Sequence, residues 1–212
     1  MSNTIQDNFL IKRTSKKYID KILSENPSWK ILDIGCGYHA NQYANTICDI
    51  LDLSNHYKEK NFVKLIDKKL PFSDKEFDYV IASHVVEHVE DVSFFLNELT
   101  RVAKKGYIEV PTILEDNLVF ENKKDHLWQL TFDDVNNKII ISNKIQYFEP
   151  ILTVSTIKKL NNYFRESLVL ELSWQDRIEF EIINKVLNPT DKISILKLCK
   201  KYFSKRIRMI FK

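Results

Sequence analysis

Three side chains in the sequence could exchange a proton with a substrate near neutral pH: His84, Glu109 and His126. An imidazole near its ordinary pKa of ~6.5 is suited to removing a proton at such a pH. His84 and Glu109 follow the fourth and fifth predicted strands, where a substrate would approach a parallel sheet. We expect one of the three to act on the substrate, although each could instead be structural. His88 could serve to steady its loop.

A glycine turn precedes these residues in the segment Asp33-Ile34-Gly35-Cys36-Gly37, which contains two of the chain's three glycines. A short apolar run bounded by glycine predicts a buried strand that enters a tight turn. Gly35 and Gly37 let the backbone turn sharply and let a ligand approach without a Cβ in the way. Asp33 would direct a carboxylate into the crevice at the end of the sheet.

This turn fits two kinds of ligand, and it could also bind none. Gly35, Gly37 and Ala40 match the dinucleotide fingerprint G-x-G-x-x-A, which would indicate an NAD-dependent oxidoreductase. That fingerprint requires a helix directly after the turn, and residues 38–45 are too few for one. An acid two residues before Gly35 also suits a cationic or hydroxyl-bearing ligand better than a pyrophosphate.

Five apolar runs predict the strands that would position these residues, at 29–34, 46–50, 62–66, 77–83 and 105–111. Amphipathic patterns predict helices at 14–23, 91–103 and 154–164, with Asp91 placed to cap the second. Strands that alternate with helices indicate an α/β fold with a parallel sheet and right-handed crossovers.

The pattern changes after Pro111. Residues 112–125 are polar and predict a loop, whereas residues 126–132 and 138–142 alternate and predict a β-hairpin. We expect this insertion, about residues 112–145, to cover the substrate side of the sheet. Residues 168–173 and 177–183 predict a second hairpin.

The ordered motifs resemble those of class I S-adenosylmethionine-dependent methyltransferases, of the type 11 kind. Residues 33–37 resemble the first motif, and residues 70–72, 77–81 and 83–91 continue the match at the usual spacing. The resemblance implies a Rossmann-like, doubly wound sheet of seven mostly parallel strands, closed by an antiparallel pair and carrying a β-hairpin inserted after strand five. It implies S-adenosyl-L-methionine as the cofactor.

The resemblance also assigns residues to the cofactor. The expected contacts are Asp33, Gly35, Cys36, Gly37, Asp49, Asp67 and Ser83. Asp49 would accept hydrogen bonds from the ribose hydroxyls, and Asp52 is the alternative. Asp67 would meet the adenine amino group, unless the backbone of Ile66 and Asp67 does so.

The chemistry of this cofactor limits what the protein must add. Its methyl group is already activated by a sulfonium, so the enzyme has to align the acceptor and, for a hydroxyl, remove a proton. No metal or covalent nucleophile is required, and we predict none, because the sequence has no H-E-x-x-H motif and Cys36, Cys48 and Cys199 lack metal-type spacing.

The acceptor class follows from what the motifs lack. Residues 82–85 contain no proline, unlike nucleic acid amino-methyltransferases, and the chain has no proline-cysteine pair of the cytosine-C5 type. We therefore expect O-methylation of a small molecule, a sugar or a lipid-linked glycan. Some bacterial methyltransferases linked to surface glycans are similar around residues 107–109, His126 and Trp128. A non-catalytic module that binds the cofactor or a partner is the alternative, because Tyr38 and His39 replace the usual third glycine.

The length predicts a single domain, which the resemblance identifies as a methyltransferase domain at residues 1–190, and the residue pattern predicts a basic amphipathic helix at 191–212. The net charge of +3 is too small to indicate a nucleic acid partner. The cysteine usage predicts a reduced, cytoplasmic setting, and the polar amino terminus does not resemble a secretory signal. The final helix could dock on the body of the protein, or it could lie on an anionic membrane surface. The oligomeric state is left open.

Overall fold

A central sheet of seven strands organises the protein in a computed structural model that describes residues 10–186 and 194–210. Its strands are β1 (Ile11–Arg13), β2 (Ile31–Ile34), β3 (Thr46–Asp49), β4 (Asn61–Lys64), β5 (Phe77–Ser83), β6 (Ala103–Pro111) and β9 (Val169–Gln175). Their order across the sheet is β1-β9-β6-β5-β2-β3-β4, and β2 to β6 run parallel. The predicted α/β class and the Rossmann-like, mostly parallel sheet of seven strands are confirmed.

The helices of the described residues are α1 (Lys16–Glu25), α2 (Val92–Val102), α3 (Ile113–Leu118), α4 (Asn122–Asp125), α5 (Val154–Leu168) and α6 (Ile195–Ile210). Asp91 caps α2 as predicted, because its side chain accepts a hydrogen bond from the Phe94 nitrogen at 2.9 Å. The first helix begins at Lys16 rather than at Thr14, since the Thr14 nitrogen donates to the carbonyl of Glu171 at 3.0 Å and so extends the pairing of β1.

Alternate residues of the central strands pack on opposite faces of the sheet. Leu32 and Val80 belong to the cluster that includes the apolar residues of α2. Ile31 and Ile81 belong to a second cluster, which includes Ile19 of α1. Both faces of the sheet are therefore covered, and its polar groups emerge at the strand ends.

The strand order reverses between β2 and β5. From β2 the chain continues to β3 and β4 on one side, whereas β5 is followed by β6 on the other. Such a reversal opens a crevice beyond the carboxyl ends of the two central strands. Residues 38–45, which connect β2 to β3, form turns without a helix, as their short length predicted.

The inserted hairpin is confirmed as β7 (Trp128–Asp133) and β8 (Lys138–Asn143), which pair antiparallel. The loop predicted at residues 112–125 is wrong, because α3 and α4 lie there. Thr112 caps α3 by accepting from the Glu115 nitrogen. The polar residues of α3 that suggested a loop are buried, and two of them are hydrogen-bonded: Asp116 to His126 and Lys144, and Asn117, which accepts from the Tyr147 nitrogen at 2.6 Å.

The second predicted hairpin is also wrong. The strand β9 pairs with β6 and β1, and β10 (Phe180–Ile183) instead pairs parallel to β8 in a separate three-stranded sheet. Asp176, with a φ of 63°, turns the chain away from the main sheet after β9. The place beside β9 is taken by β1, where Ile11 is fully buried opposite Trp174.

The helix α6 packs no side chain into the body of the protein: every one of its residues is exposed except Ile195, which is partly exposed. The docked arrangement considered for this helix is therefore not the one observed. Lys192 and Lys212 of the predicted basic tail lie outside the described residues. Among the helices in 10–186 and 194–210, none is long and apolar enough to cross a membrane.

Candidate active site

A cavity of about 580 Å³ lies at the crevice beyond the carboxyl ends of β2, β3 and β5. Its size falls within the range of small-molecule sites. The walls combine apolar side chains, including Leu65, Val89 and Phe94, with the polar residues Asp49 and His84. A ligand with a flat apolar part and several hydroxyl groups would find complementary groups here.

The glycine turn forms one wall of this cavity. Gly35 has a φ of 65° and Gly37 a φ of 49°, a region that side-chain-bearing residues disfavour. A Cβ on Gly35 would lie 2.4 Å from Val85 Cγ2, so the loop after β5 packs directly against the turn. A Cβ on Gly37 would meet open space. Backbone conformation thus requires both glycines, and close packing requires Gly35 in addition.

Asp49 ends β3 at the cavity wall and is 6% exposed. Its Oδ2 accepts from the Gly37 nitrogen and its Oδ1 from the Leu51 nitrogen, each at 2.9 Å. A carboxylate has about four lone-pair sites, so both oxygens can accept one further hydrogen bond each. Asp52, the alternative, is exposed and bonds Ser54. Asp49 therefore lines the cavity with free acceptor sites and Asp52 does not, and the assignment of the ribose to Asp49 stays a prediction.

Asp33 lies beneath the turn rather than in the cavity wall. It is 4% exposed, and its Oδ2 accepts from the Asn41 nitrogen at 2.7 Å. Burial raises the pKa of Asp33 to about 6. This carboxylate fixes the short segment 38–45 against β2, so its support of a ligand is through the backbone of the turn. Burial, reinforced by the charges of Asp33 and Asp49, raises the pKa of the Cys36 thiol to about 12, which keeps it protonated.

Of the remaining residues predicted to bind the cofactor, one lines the cavity and one does not. Asp67 lines the cavity and is exposed. Ser83 is half-buried at the end of β5 and is not part of the cavity wall. The role of each residue toward the cofactor stays a prediction.

His84 and Glu109 meet beside the cavity. His84 has a φ of 55°, and its Nε2 lies 3.3 Å from Glu109 Oε1 while its Nδ1 lies 3.3 Å from Glu87 Oε1. Burial alone would lower the pKa of His84, but the two carboxylates outweigh it and raise the pKa to about 10. At neutral pH the ring therefore already carries two protons. It can donate a hydrogen bond, but it does not suit the predicted removal of a proton.

Glu109 is 3% exposed and belongs to a charged network behind the cavity. Burial opposes its ionisation, but His84, Lys16 and Arg165 hold its pKa well below the usual range. The Arg165 guanidinium lies 2.8 Å from Glu109 and 2.9 Å from Glu171. The network keeps Glu109 ionised, and its Oε2 accepts a hydrogen bond from the Tyr107 hydroxyl at 2.8 Å.

His126 occupies a different place. Its Nδ1 lies 2.6 Å from Asp116 Oδ1, its side chain is 7% exposed, and it borders a second cavity of about 450 Å³ with Trp128 and Lys144. Its ring also packs edge-on against His88, with 4.5 Å between the centroids. The structure thus brings together His84 and Glu109, and it pairs His126 with His88 instead.

The sequence reasoning missed three charged residues around this site: Glu87, Glu115 and Arg165. Burial raises the pKa of Glu115 to about 7, and its Oε2 has no hydrogen-bond partner in the described chain. Glu87 could have been noticed because it stands between two histidines in a short polar loop. No local sequence pattern marks Arg165 or Glu115 as part of the site, because Glu109 and His84, with which they interact, are distant in the sequence.

These features define a nucleoside-binding site of the doubly wound α/β folds. An acid with free lone pairs ends the strand next to the glycine turn, apolar side chains form the walls, and Asp67 lies within the same cavity. The residues present fit the adenosine part of S-adenosylmethionine.

Comparisons with known proteins are consistent with a site for S-adenosylmethionine. Residues 32–108 match the family described as "Methyltransferase domain". An uncharacterised protein of Methanocaldococcus jannaschii is 31% identical over 157 residues, 64% of this chain and 68% of its own. A ubiquinone biosynthesis O-methyltransferase of Rickettsia bellii is 32% identical over 127 residues, 52% of this chain and 51% of that enzyme. The chain belongs to the class I S-adenosylmethionine-dependent methyltransferases, whose cofactor is S-adenosyl-L-methionine.

The extent of these matches is uneven. The chain spans about half the length of the Rickettsia enzyme. Among solved structures, the YcgJ protein of Bacillus subtilis has a TM-score of 0.46 at 12% identity, with 76% of this chain and 99% of that chain covered.

Proposed function

We propose that the protein transfers the methyl group of S-adenosylmethionine to a hydroxyl oxygen of a small molecule, a sugar or a lipid-linked glycan. One observation carries the proposal: a single cavity contains Gly35 and Asp49, which suit the nucleoside, together with His84, which is tied to Glu109. The Rickettsia relative is named as an O-methyltransferase, which supports oxygen as the acceptor atom.

S-adenosylmethionine supplies a methyl group that its sulfonium has already activated. The residues of the chain have to orient the acceptor and handle its proton. Ionised Glu109 lies behind the cavity and acts on the acceptor through protonated His84, which lines the cavity and lies 3.3 Å from Glu109 Oε1. Glu115, which interacts electrostatically with His84, is the candidate to take up the proton because its pKa of about 7 lies near neutrality.

The second cavity supports a sugar-containing acceptor. It offers the flat face of Trp128 together with polar side chains from Asn143, Lys144 and Gln146. A pyranose ring has apolar faces and a rim of hydroxyl groups, so an aromatic surface beside the Asn143 amide and the Gln146 amide oxygen, which is unbonded within the described residues, is complementary to it.

The helix α6 supports an acceptor held at a membrane. Its basic residues are Lys197, Lys200, Lys201, Lys205, Arg206 and Arg208, and its exposed apolar residues include Leu196, Phe203 and Ile207. A basic amphipathic helix without partners in the body of the protein can bind anionic lipid headgroups. Peripheral contact of this kind would bring the active site close to lipid-linked glycans.

The proposal is tested by a labelled-methyl screen. The purified protein is incubated with radiolabelled S-adenosylmethionine and with separate lipid, glycan and small-molecule fractions of bacterial extracts. We expect incorporation that is stable to mild base, as an ether is, and that depends on Glu109. Label that enters protein or nucleic acid instead would contradict the acceptor class.

The same screen separates catalysis from cofactor binding alone. A protein that binds S-adenosylhomocysteine in calorimetry but labels none of these fractions would be the non-catalytic module considered above. Calorimetry with NAD serves as the specificity control, and we expect no binding of that cofactor.

A further inference from the structure

Three potential metal ligands converge at the border between the two cavities. Donor atoms of Glu87, His88 and His126 all lie within 4.8 Å of one another. Glu87 and His88 belong to the loop between β5 and α2, whereas His126 lies just before β7. The two segments are joined by the backbone, because the Leu127 and Trp128 nitrogens donate to the carbonyl of Glu87 at 2.8 and 3.2 Å. The fold itself therefore creates the cluster.

Both imidazole rings are oriented as metal-bound histidines are. His88 Nδ1 lies 2.9 Å from the carbonyl of Asp125, which can only accept, so Nδ1 carries the proton. His126 Nδ1 donates likewise to Asp116 Oδ1 at 2.6 Å. A carbonyl or carboxylate behind each ring fixes the tautomer and leaves the Nε2 lone pair free for an ion.

The third member is a buried carboxylate that makes no hydrogen bond within the described residues and has His84 beside one of its two oxygens. Glu87 is 1% exposed, and neither of its oxygens has a hydrogen bond within the described residues. His84 Nδ1 lies 3.3 Å from Oε1, and nothing comparable faces Oε2. Buried charged oxygens are normally paired, because an unpaired one costs several kcal/mol. A bound cation would supply a partner for Oε2.

We propose that Glu87, His88 and His126 bind a divalent first-row transition ion, with Zn²⁺ the best match. Two imidazoles and one carboxylate form a ligand set that leaves a coordination position open. Ligand atoms around tetrahedral Zn²⁺ lie about 3.3 Å apart, so small side-chain rotations close the cluster.

The location gives the ion a role. His88 lines the large cavity and His126 lines the second cavity, so the ion lies between the proposed cofactor and acceptor sites. Its open position can take an oxygen atom of a ligand. The sequence predicted no metal, because the three ligands come from two distant segments and match no spacing rule.

The test measures metal binding by the full-length protein without cofactor or acceptor. Cys199 is an exposed free thiol, so all variants carry Cys199→Ser to remove a competing ligand. After chelator treatment, titration with Zn²⁺ in a calorimeter should give one site per chain. Titration with Co²⁺ should give visible absorption bands typical of nitrogen and oxygen ligands.

The variants make the test specific. We expect His88→Ala, His126→Ala and Glu87→Gln each to weaken Zn²⁺ binding by more than about 100-fold, and Asp116→Asn, which removes an orienting partner, by about 10–100-fold. His39→Ala is the matched control, because His39 is exposed and outside the cluster, and it should leave the affinity unchanged.

The proposal is overturned if the Cys199→Ser protein binds no Zn²⁺, or if His88→Ala binds it as tightly as that parent. His88 is exposed, so its replacement should fold even if the buried residues tolerate no change; circular dichroism checks this. Because the readout requires no methyl transfer, failure of the methyltransferase assay would leave the metal result intact.

Discussion

His84 and Glu109 are linked twice: His84 Nε2 lies 3.3 Å from Glu109 Oε1, and the His84 nitrogen donates to the Glu109 carbonyl at 2.7 Å. The backbone bond joins the ends of β5 and β6, and the side-chain contact places a cation against a buried carboxylate. This double link fixes the start of the loop that follows β5 at the edge of the large cavity.

Replacement of Glu109 by glutamine should destabilise the protein. The change removes one of the two carboxylates that face Arg165 and one of the two that face His84. The loss should therefore not exceed the cost of breaking a buried ion pair, which is typically about 3–5 kcal/mol. Urea unfolding at pH 7 measures the difference. Glu90→Gln is the control, since Glu90 pairs with Lys68 on the exposed surface and its loss should change little. Equal effects of the two changes would contradict the role of the network.

Asp49→Ala should weaken binding of S-adenosylhomocysteine by about 1–3 kcal/mol, because hydrogen bonds to a charged group are lost. Asp52→Ala, a change at an exposed acid outside the cavity, should leave the affinity unchanged. Isothermal titration calorimetry measures both. A larger loss for Asp52 than for Asp49 would show that the ribose lies elsewhere.

The two glycines of the turn should respond differently to alanine. Gly37→Ala adds only the cost of a left-handed backbone, about 1–2 kcal/mol, because its Cβ would meet open space. Gly35→Ala adds the overlap with Val85 and should cost more. The second change Val85→Ala should restore part of the loss for Gly35→Ala and none for Gly37→Ala, as thermal unfolding of the four variants can show.

Asp33 should make stability depend on pH. The pKa of Asp33 is raised to about 6, so the folded state binds a proton more readily than the unfolded chain, and this group's contribution falls as pH rises from about 4 to 6. The variant Asp33→Asn has no carboxyl group at this position and so lacks the pH-dependent loss of stability. The difference in free energy of unfolding, variant minus wild type, should therefore rise by about 1–3 kcal/mol between pH 4 and pH 8.

The control for this pH dependence is Asp52→Asn. A hydrogen-bonded Ser54 lowers the pKa of Asp52, so its contribution has the opposite sign: it is present at neutral pH and lost on acidification. A parallel response of both variants would contradict the assignment to Asp33.

The helix α6 should bind vesicles that contain anionic lipids. Triple replacement of Lys200, Lys201 and Lys205 by glutamate should weaken binding by about 3 kcal/mol, because each basic residue contributes about 1 kcal/mol near such a surface. Cosedimentation measures the bound fraction, which should also fall with added salt. Lys58→Glu on the body is the control. Equal binding to neutral vesicles would argue against the electrostatic mechanism.

The sequence allowed prediction of features that are local in the chain. The glycine turn, the acid at the end of β3 and the Asp91 cap each depend on residues within a few positions of one another, and the structure has all three. The hairpin of β7 and β8 was also predictable, because its alternation repeats over six residues in each strand.

The errors arose where distant partners decide the conformation. Residues 112–125 seemed too polar for helices, yet Asp116 is buried because Lys144 neutralises it and His126 donates a hydrogen bond to it. The strand β10 pairs with β8 because β1 already occupies the edge beside β9. The protonated state of His84 was likewise hidden, because it depends on Glu109, which follows a different strand.

The position of β1 at the sheet edge has a consequence for synthesis of the chain. Ile11 pairs with Trp174, so β1, which is synthesised before the other six strands of this sheet, has to wait for the last of them, β9. The parallel strands β2 to β6 can pair earlier, while β9 is still absent. Until β9 is added, β1 has no strand to pair with and the edge of β6 is uncovered. Such a delay favours slow completion of the fold and makes the uncovered edge of β6 the surface that a chaperone would shield.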